Sequence, residues 1–301
     1  MNSSYDIVVI GAGVAGLSAA GYAARAGYST LALDAAAPGG QLLFIDTIEN
    51  YPGRESISGF ALAEEMEKQA LSFGVEIEYS EVSSVSKKDD GFTVTTADGE
   101  VKSKAVILAM GAKHRHLDVP GESEYEGRGV SYCATCDGPF FKDKVVTVVG
   151  GGDTALTDAV YLSKLCSKVY LVHRRNEFRA QKVLQDRVRA CGNIEIVTPH
   201  TVKQINGDGS KVTSVTLDDG TALICDGIFI FTGIIPSSGI VKDLVELDRQ
   251  GFIITDAKME TSLPGIFACG DIRTTPFRQV VTAAGDGAIA AHGADEYISS
   301  H

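Results

Sequence analysis

The chain has 301 residues, enough for about two domains with a core each at roughly 150 residues per domain. Lys and Arg number 27 against 39 Asp and Glu, and the net charge of −12 offers no basic field for a phosphate backbone, so nucleic acid is not an expected partner. Hydrophobic residues make up 44% but nowhere run unbroken to the length of about 18 that a membrane helix needs, and six cysteines are too sparse for a disulfide scaffold.

The first segment, MNSSYDIVVIGAG, carries no basic stretch and sets Asp6 directly before its apolar run. No secretory leader is expected, and the protein reads as cytoplasmic. The run is a predicted buried parallel strand. It enters a turn, Gly11-x-Gly13-x-x-Gly16, and then an Ala-rich helix to about Ala26. YSTLALD follows as a second strand, completing a βαβ unit of about 30 residues. Such glycines let the backbone approach a pyrophosphate, and the helix N-terminus supplies free N–H groups. Asp34 closes the second strand, where a carboxylate accepts hydrogen bonds from free ribose hydroxyls and repels a 2′-phosphate. The first unit is therefore expected to hold a dinucleotide without a 2′-phosphate, FAD or NAD.

From Val75 the sequence alternates apolar and polar residues around Asp89-Asp90-Gly91 and Asp98-Gly99, which predicts an antiparallel meander ending at Met110-Gly111. A linker is expected over His114 to Pro120. Beyond it, Cys133 and Cys136 lie three positions apart in Ser-Tyr-Cys-Ala-Thr-Cys-Asp-Gly, close enough to form a small disulfide ring. In a reducing compartment such a pair is redox-active or metal-bound. Zinc needs two more ligands, and the spacing of His114 and His116 fits no finger pattern, so no metal is expected. Asp137 beside the pair is suited either to shuttling the proton that disulfide reduction consumes or to capping a turn.

A second strand and glycine turn, Gly150-x-Gly152-x-x-Ala155, lies 139 positions after the first and leads into a helix and the strand SKVYLVH. The position equivalent to Asp34 is His173, followed by Arg174, Arg175 and Arg179. Cations replace the carboxylate, and Arg175 and Arg179 share a face if a helix starts there, an arrangement suited to a dianionic phosphate. The second unit is expected to take NADPH, and FAD with NADPH is the pairing that relays hydride chemistry. Another alternating stretch follows from Ile194 to Gly233, then a linker near Ile234 to Gly239 and a final helix from about Gln279 to Ile298. That tail is expected to return to the first domain. Cys166, Cys191, Cys225 and Cys269 are solitary and read as core packing. The predicted fold class is α/β, with two Rossmann-like (three-layer ββα) dinucleotide-binding domains, the second inserted into the first.

The sequence resembles the low-molecular-weight thioredoxin reductases of the flavoprotein disulfide reductase group over nearly its whole length. The matching stretches are Gly11 to Gly16; Gly39-Gly40-Gln41 with Asn50-Tyr51-Pro52-Gly53; Cys133-Ala-Thr-Cys136-Asp137; Gly150 to Ala155 with His173-Arg174-Arg175 and Arg179; and Gly270-Asp271 with Arg278-Gln279. The resemblance implies an FAD-binding domain of residues 1–114 plus 241–301, an NADPH-binding domain of residues 115–240, a homodimer, and rotation of the NADPH domain between half-reactions. It implies that Cys136 faces the flavin, Cys133 attacks the thioredoxin disulfide and Asp137 serves as acid and base. The FAD set carried over is Gly11, Gly13, Ala15, Gly16, Asp34, Gly40, Gln41, Asn50, Gly111, Gly270, Asp271, Arg278, Gln279 and Val280. The NADPH set is Gly150, Gly152, Asp153, Thr154, Ala155, His173, Arg174, Arg175 and Arg179. After Asp137 the chain reads Gly-Pro-Phe-Phe where some members lack the proline. The implied partner is thioredoxin or a thioredoxin-like or glutaredoxin-like protein. The alternative is a ferredoxin or flavodoxin NADP reductase, which shares the fold and needs no cysteine pair.

Overall fold

The computed structural model describes residues 3–45, 47–88 and 90–301. Met1 and Asn2 of the first segment and Asp89 of the Asp89-Asp90-Gly91 turn lie outside the described residues. The chain divides into two compact units, Met1–Lys113 with Ile235–His301, and His114–Ile234.

The chain opens with β1 (Ser4–Ile10), α1 (Val14–Arg25), β2 (Thr30–Asp34), α2 (Gly59–Ser72), β3 (Glu76–Tyr79), β4 (Val82–Lys88), β5 (Gly91–Thr96), β6 (Gly99–Leu108) and β7 (Ala112–His114). Next come β8 (Val130–Ser131), α3 (Ala134–Asp137), β9 (Val145–Val149), α4 (Asp153–Ser163), β10 (Lys168–Val172), α5 (Lys182–Ala190) and β11 (Ile194–Val197). The chain then runs through β12 (Val202–Gly207), β13 (Val212–Leu217), β14 (Ala222–Ile224), β15 (Gly227–Ile230) and β16 (Ile234–Pro236), and closes with β17 (Ile266–Ala268) and α6 (Val280–Ser300).

In the first unit the strands run β3-β2-β1-β6-β5-β4, with β17 paired to β6. The apolar run of β1 is explained by parallel neighbours on both sides, β2 and β6. Successive side chains of a strand point to opposite faces. Ile7 and Val9 therefore pack with the alanines of α1 and α6, while Val8 and Ile10 pack with Leu31, Leu33 and the meander's Phe92 and Val94. In the second unit the order is β11-β10-β9-β15-β8, all parallel, and β12-β13-β14 form a separate antiparallel sheet.

The structure departs from the sequence reading in three places. Residues 75–79 and 194–197 were expected in antiparallel hairpins, yet β3 and β11 are parallel edge strands beside β2 and β10. Alternation reports that one face is buried, not which strand lies alongside. The second crossing between units falls after Ile234, at the start of the linker read over Ile234 to Gly239 and ahead of the implied domain boundary at 240: Ser237 N–H already donates to Gly111 O at 3.0 Å and Val241 sits in the first unit's core. The two crossings pair with each other as β7 and β16. Cys191 is not a core residue: it follows the last residue of α5 half-exposed, whereas Cys166, Cys225 and Cys269 are buried. Among the described residues no helix is long and apolar enough to cross a membrane.

Candidate active site

In the first unit, Gly11 ends β1 with φ +99°, and a Cβ there would lie 2.5 Å from Ala109 O. A left-handed backbone in so tight a place admits only glycine. Gly16 is equally confined, since its Cβ would strike Gly11 O, while Gly13 precedes α1 and a Cβ on it would only touch Gly40 Cα at 4.0 Å. The first turn of α1 holds no acidic residue, and no side chain of Gly13 competes for its N–H groups. That is a cradle for an anion. Asp34 lies beside it: Oδ2 accepts from Ala12 N–H at 2.6 Å and Oδ1 from Ala36 N–H at 3.0 Å. A carboxylate has about four lone-pair sites, so two bonds leave capacity for ribose hydroxyls.

The remaining residues of this set come from three loops. Gly40 opens a single 3-10 turn, and Gln41 Nε2 donates to Ala112 O at 2.7 Å. Asn50 Nδ2 donates to Gln279 Oε1 at 3.0 Å, and Gln279 caps α6 through a reciprocal box with Thr282, with Val280 as the first helical residue. Gly111 has φ +65° and leaves open space where a side chain would stand. Gly270 N–H donates to Asp286 Oδ2 at 3.2 Å, an acceptor held in turn by Arg273 Nη1 at 3.1 Å. A Cβ on Gly270 would reach Ala15 Cβ at 2.8 Å, so this turn lies against the start of α1. Burial pushes the Asp271 carboxyl above its ordinary range, and Arg278 opposes that rise. Arg278 lies over the Phe252 ring at 4.3 Å and donates to the carbonyl oxygens of Asp271 and Arg273, so it braces the loop. Asp286 and Arg273 did not emerge from the sequence. Their role rests on contacts across loops, which no local pattern encodes.

In the second unit, Gly150 leaves β9 and Gly152 precedes α4 with open space about it, while Ala155 is fully buried. Asp153 is occupied by Gln181, accepting from its N–H at 2.8 Å and its amide at 3.2 Å, and Thr154 is exposed. His173 lies under the turn: it is 7% exposed and its ring stacks on Phe178. Burial, with the nearby arginines, holds its pKa below the usual value, which favours the neutral ring. No helix starts at Arg175, so the shared helix face that would have paired Arg175 with Arg179 is not formed. Residues 173–181 loop back, Arg179 N–H donating to Gly151 O at 2.8 Å, and α5 begins only at Lys182. The fold-back, rather than a shared helix face, brings Arg179 to the glycine turn. Arg174, Arg175 and Arg179 are exposed, and among the described residues no carboxylate pairs with them.

The cysteine pair belongs to the same unit. Cys133 and Cys136 form a disulfide at α3, with Cys133 at the N-cap and its Sγ accepting from Cys136 N–H at 3.2 Å. Ser131 Oγ accepts from Cys133 N–H at 3.1 Å. Burial pushes the Asp137 carboxyl above its ordinary range, against the pull of a hydrogen bond with the Ser131 hydroxyl. Gly138 is seated against Tyr161, Leu162 and Leu165, which fixes α3 to α4. His114 and His116 both lie on the Tyr132 ring. An N–H aimed at sulfur favours a thiolate, and a proton-retaining carboxyl nearby can supply a proton.

The sequence matches the pyridine nucleotide-disulphide oxidoreductase family over residues 5–287. It is 49% identical to a thioredoxin reductase of Treponema pallidum, across 100% of this chain and 99% of that protein. It is 44% identical to a thioredoxin reductase of Bacillus subtilis, across 98% and 95%. The crystal structure of thioredoxin reductase from Streptococcus pyogenes superposes with a TM-score of 0.96 at 46% identity, covering 100% of both chains.

Proposed function

Since the chain belongs to the pyridine nucleotide-disulphide oxidoreductase family, and within it to the low-molecular-weight thioredoxin reductases, we propose that it draws electrons from NADPH through FAD and delivers them as a dithiol to the disulfide of thioredoxin or a thioredoxin-like protein. The observation that carries this reading is the Cys133–Cys136 disulfide, set in the same unit as the second glycine turn.

The first unit suits FAD. Gly11, Gly13, Gly16 and the open N-terminus of α1 would take the pyrophosphate, and Asp34 the ribose. Gln41, Asn50, Gly270, Asp271 and Gln279 would border the flavin, which supplies a two-electron carrier between nicotinamide and disulfide. The second unit suits NADPH, with Arg174, Arg175 and Arg179 on the 2′-phosphate.

Reduction of the Cys133–Cys136 bond takes two electrons and one proton and leaves Cys136 as a thiol and Cys133 as a thiolate. Asp137, whose carboxyl retains its proton more readily than a free one, donates to a departing sulfur. Cys133 is then held as a thiolate by Cys136 N–H and attacks the partner's disulfide. A mixed disulfide forms as one partner sulfur leaves. Cys136 attacks the Cys133 sulfur of that bond, releases the partner as a dithiol and restores the Cys133–Cys136 disulfide.

The reading includes a cytoplasmic setting, where thiols are kept reduced. It also includes a homodimer built on the first unit, which exposes Tyr22, Phe44, Phe60 and Tyr79. The test is NADPH oxidation in the presence of oxidised thioredoxin. Turnover is expected from the native chain and not from Cys133→Ser or Cys136→Ser, and turnover by either variant would refute the relay.

A further inference from the structure

Glu122 is a carboxylate 3% exposed, in a loop to which the sequence assigned no role. Both of its oxygens accept from Leu117 N–H at 2.9 Å, and Oε2 also accepts from Asp118 N–H at 2.8 Å. Oε1 accepts a hydrogen bond from the Tyr132 hydroxyl, again at 2.8 Å. A buried carboxylate is tolerated only when its oxygens are satisfied in this way. The Tyr132 oxygen is in addition 2.8 Å from His116 Nδ1. Its own proton is committed to Glu122, so the imidazole must be the donor, in its Nδ1–H form. His114 stacks on the same ring at 4.9 Å between centroids. The segment carrying Glu122 is fastened to β12 through Ile205 N–H, which donates to Pro120 O at 2.9 Å.

Tyr132 occupies a singular place in the chain. Ser131 is the last residue of β8, held in register with Phe229 of β15, and Cys133 is the N-cap of α3. Tyr132 is the one residue between a fixed strand and the reactive helix. Its ring and hydroxyl are gripped by three residues from 114–122. Burial and the Glu122 carboxylate together push the Tyr132 hydroxyl far above the ordinary phenol range, so it remains a donor at every physiological pH.

We propose that Glu122, Tyr132 and His116 are positioning residues for the dithiol: through the Tyr132 side chain they hold the backbone that enters Cys133, and so the line along which its sulfur meets a disulfide. The inference rests on the disulfide-reductase reading above. Thiol–disulfide exchange needs the attacking sulfur aligned with the bond it breaks, and misplacement by about 1 Å can cost as much as 100-fold in rate. A purely structural role would instead weaken the whole second unit, the glycine turn and arginines included.

The experiment compares the native holoenzyme with Tyr132→Phe and Glu122→Gln. Tyr132→Phe keeps the stack on His114 and removes only the hydroxyl. It is expected to lower kcat for oxidised thioredoxin about 10-fold while kcat/KM for NADPH, which reports the earlier half-reaction alone, stays unchanged. After reduction with dithiothreitol, alkylation of Cys133 is expected to slow in the same variant, a readout that involves neither nucleotide. Glu122→Gln places an amide donor against backbone N–H donors and is expected to lower kcat further. If that variant fails to fold, Tyr132→Phe alone decides. Native kcat and alkylation rate in Tyr132→Phe would overturn the inference and leave the reductase reading standing. A loss of kcat/KM for NADPH as large as the loss of kcat would also overturn it, in favour of a structural role. A native enzyme that oxidises NADPH but reduces no disulfide would overturn both.

Discussion

A Cβ on Gly151 would stand 2.3 Å from Cε1 of His173, so the second glycine turn closes over the end of β10 only because residue 151 carries no side chain. The ring cannot swing aside freely, because it is buried and stacked on Phe178 at 5.4 Å. Gly151→Ala is expected to destabilise the second unit by about 1–3 kcal/mol, the usual range for overpacking, and to weaken NADPH binding with it. Thermal unfolding and an NADPH titration of the variant check both expectations, and an unchanged melting temperature would contradict the contact.

The same ring ties stability to pH. His173 has its pKa below the ordinary 6.5 in the folded protein, through burial and then through the arginines beside it. Below 6.5 the unfolded chain takes up a proton that the folded ring resists, so the unfolded state binds more protons and stability falls as pH drops through that value. His114, half-buried, has its pKa lowered in the same way and acts in the same direction. The fall in melting temperature between about pH 7.5 and pH 5.5 is expected to be smaller in His173→Phe than in the native chain. An equal fall in both would show that the ring titrates as it does in water.

Arg174, Arg175 and Arg179 make their case through selectivity. A hydrogen bond to a charged group is worth about 1.5–3 kcal/mol, so Arg175→Ala or Arg179→Ala is expected to weaken NADPH binding about 10- to 100-fold. NADH lacks the 2′-phosphate, and its affinity is expected to stay as it was. Parallel losses for both nucleotides would contradict the assignment.

For Asp137 the expected effects on stability and activity have opposite signs. Burial raises its pKa, so above the unfolded value of 3.8 the unfolded carboxyl releases its proton before the folded one does. The folded state then binds more protons, and stability falls as pH rises through the folded pKa. Asp137→Asn removes that cost and is expected to raise the melting temperature at neutral pH. It is also expected to slow disulfide reduction by about 100-fold or more, the usual contribution of a positioned acid–base group. A variant that is less stable and fully active would refute both halves.

How far the sequence could be read depends on the range of the interactions involved. The two glycine turns were legible because their small residues recur at a fixed local spacing directly after an apolar strand. The cysteine pair was legible from spacing alone. The parallel partners of β3 and β11 were not, since a period of two carries no address for the neighbouring strand. The fold-back of the arginine loop was hidden too, because Arg179 N–H reaches Gly151 O across 28 positions of chain. Glu122, Tyr132, Arg273 and Asp286 look like ordinary surface residues in the sequence. Only tertiary contacts give their side chains a task.

The most direct test of the relay is an anaerobic titration with NADPH, followed on the flavin absorbance and then challenged with oxidised thioredoxin. The native protein is expected to consume about one equivalent of NADPH more than a Cys133→Ser, Cys136→Ser double variant before its flavin is fully bleached, because a disulfide stores two electrons. Thioredoxin should then restore the flavin band in the native protein and not in the variant. Equal consumption by the two proteins, or recovery of the band in the variant, would contradict passage of electrons through Cys133 and Cys136.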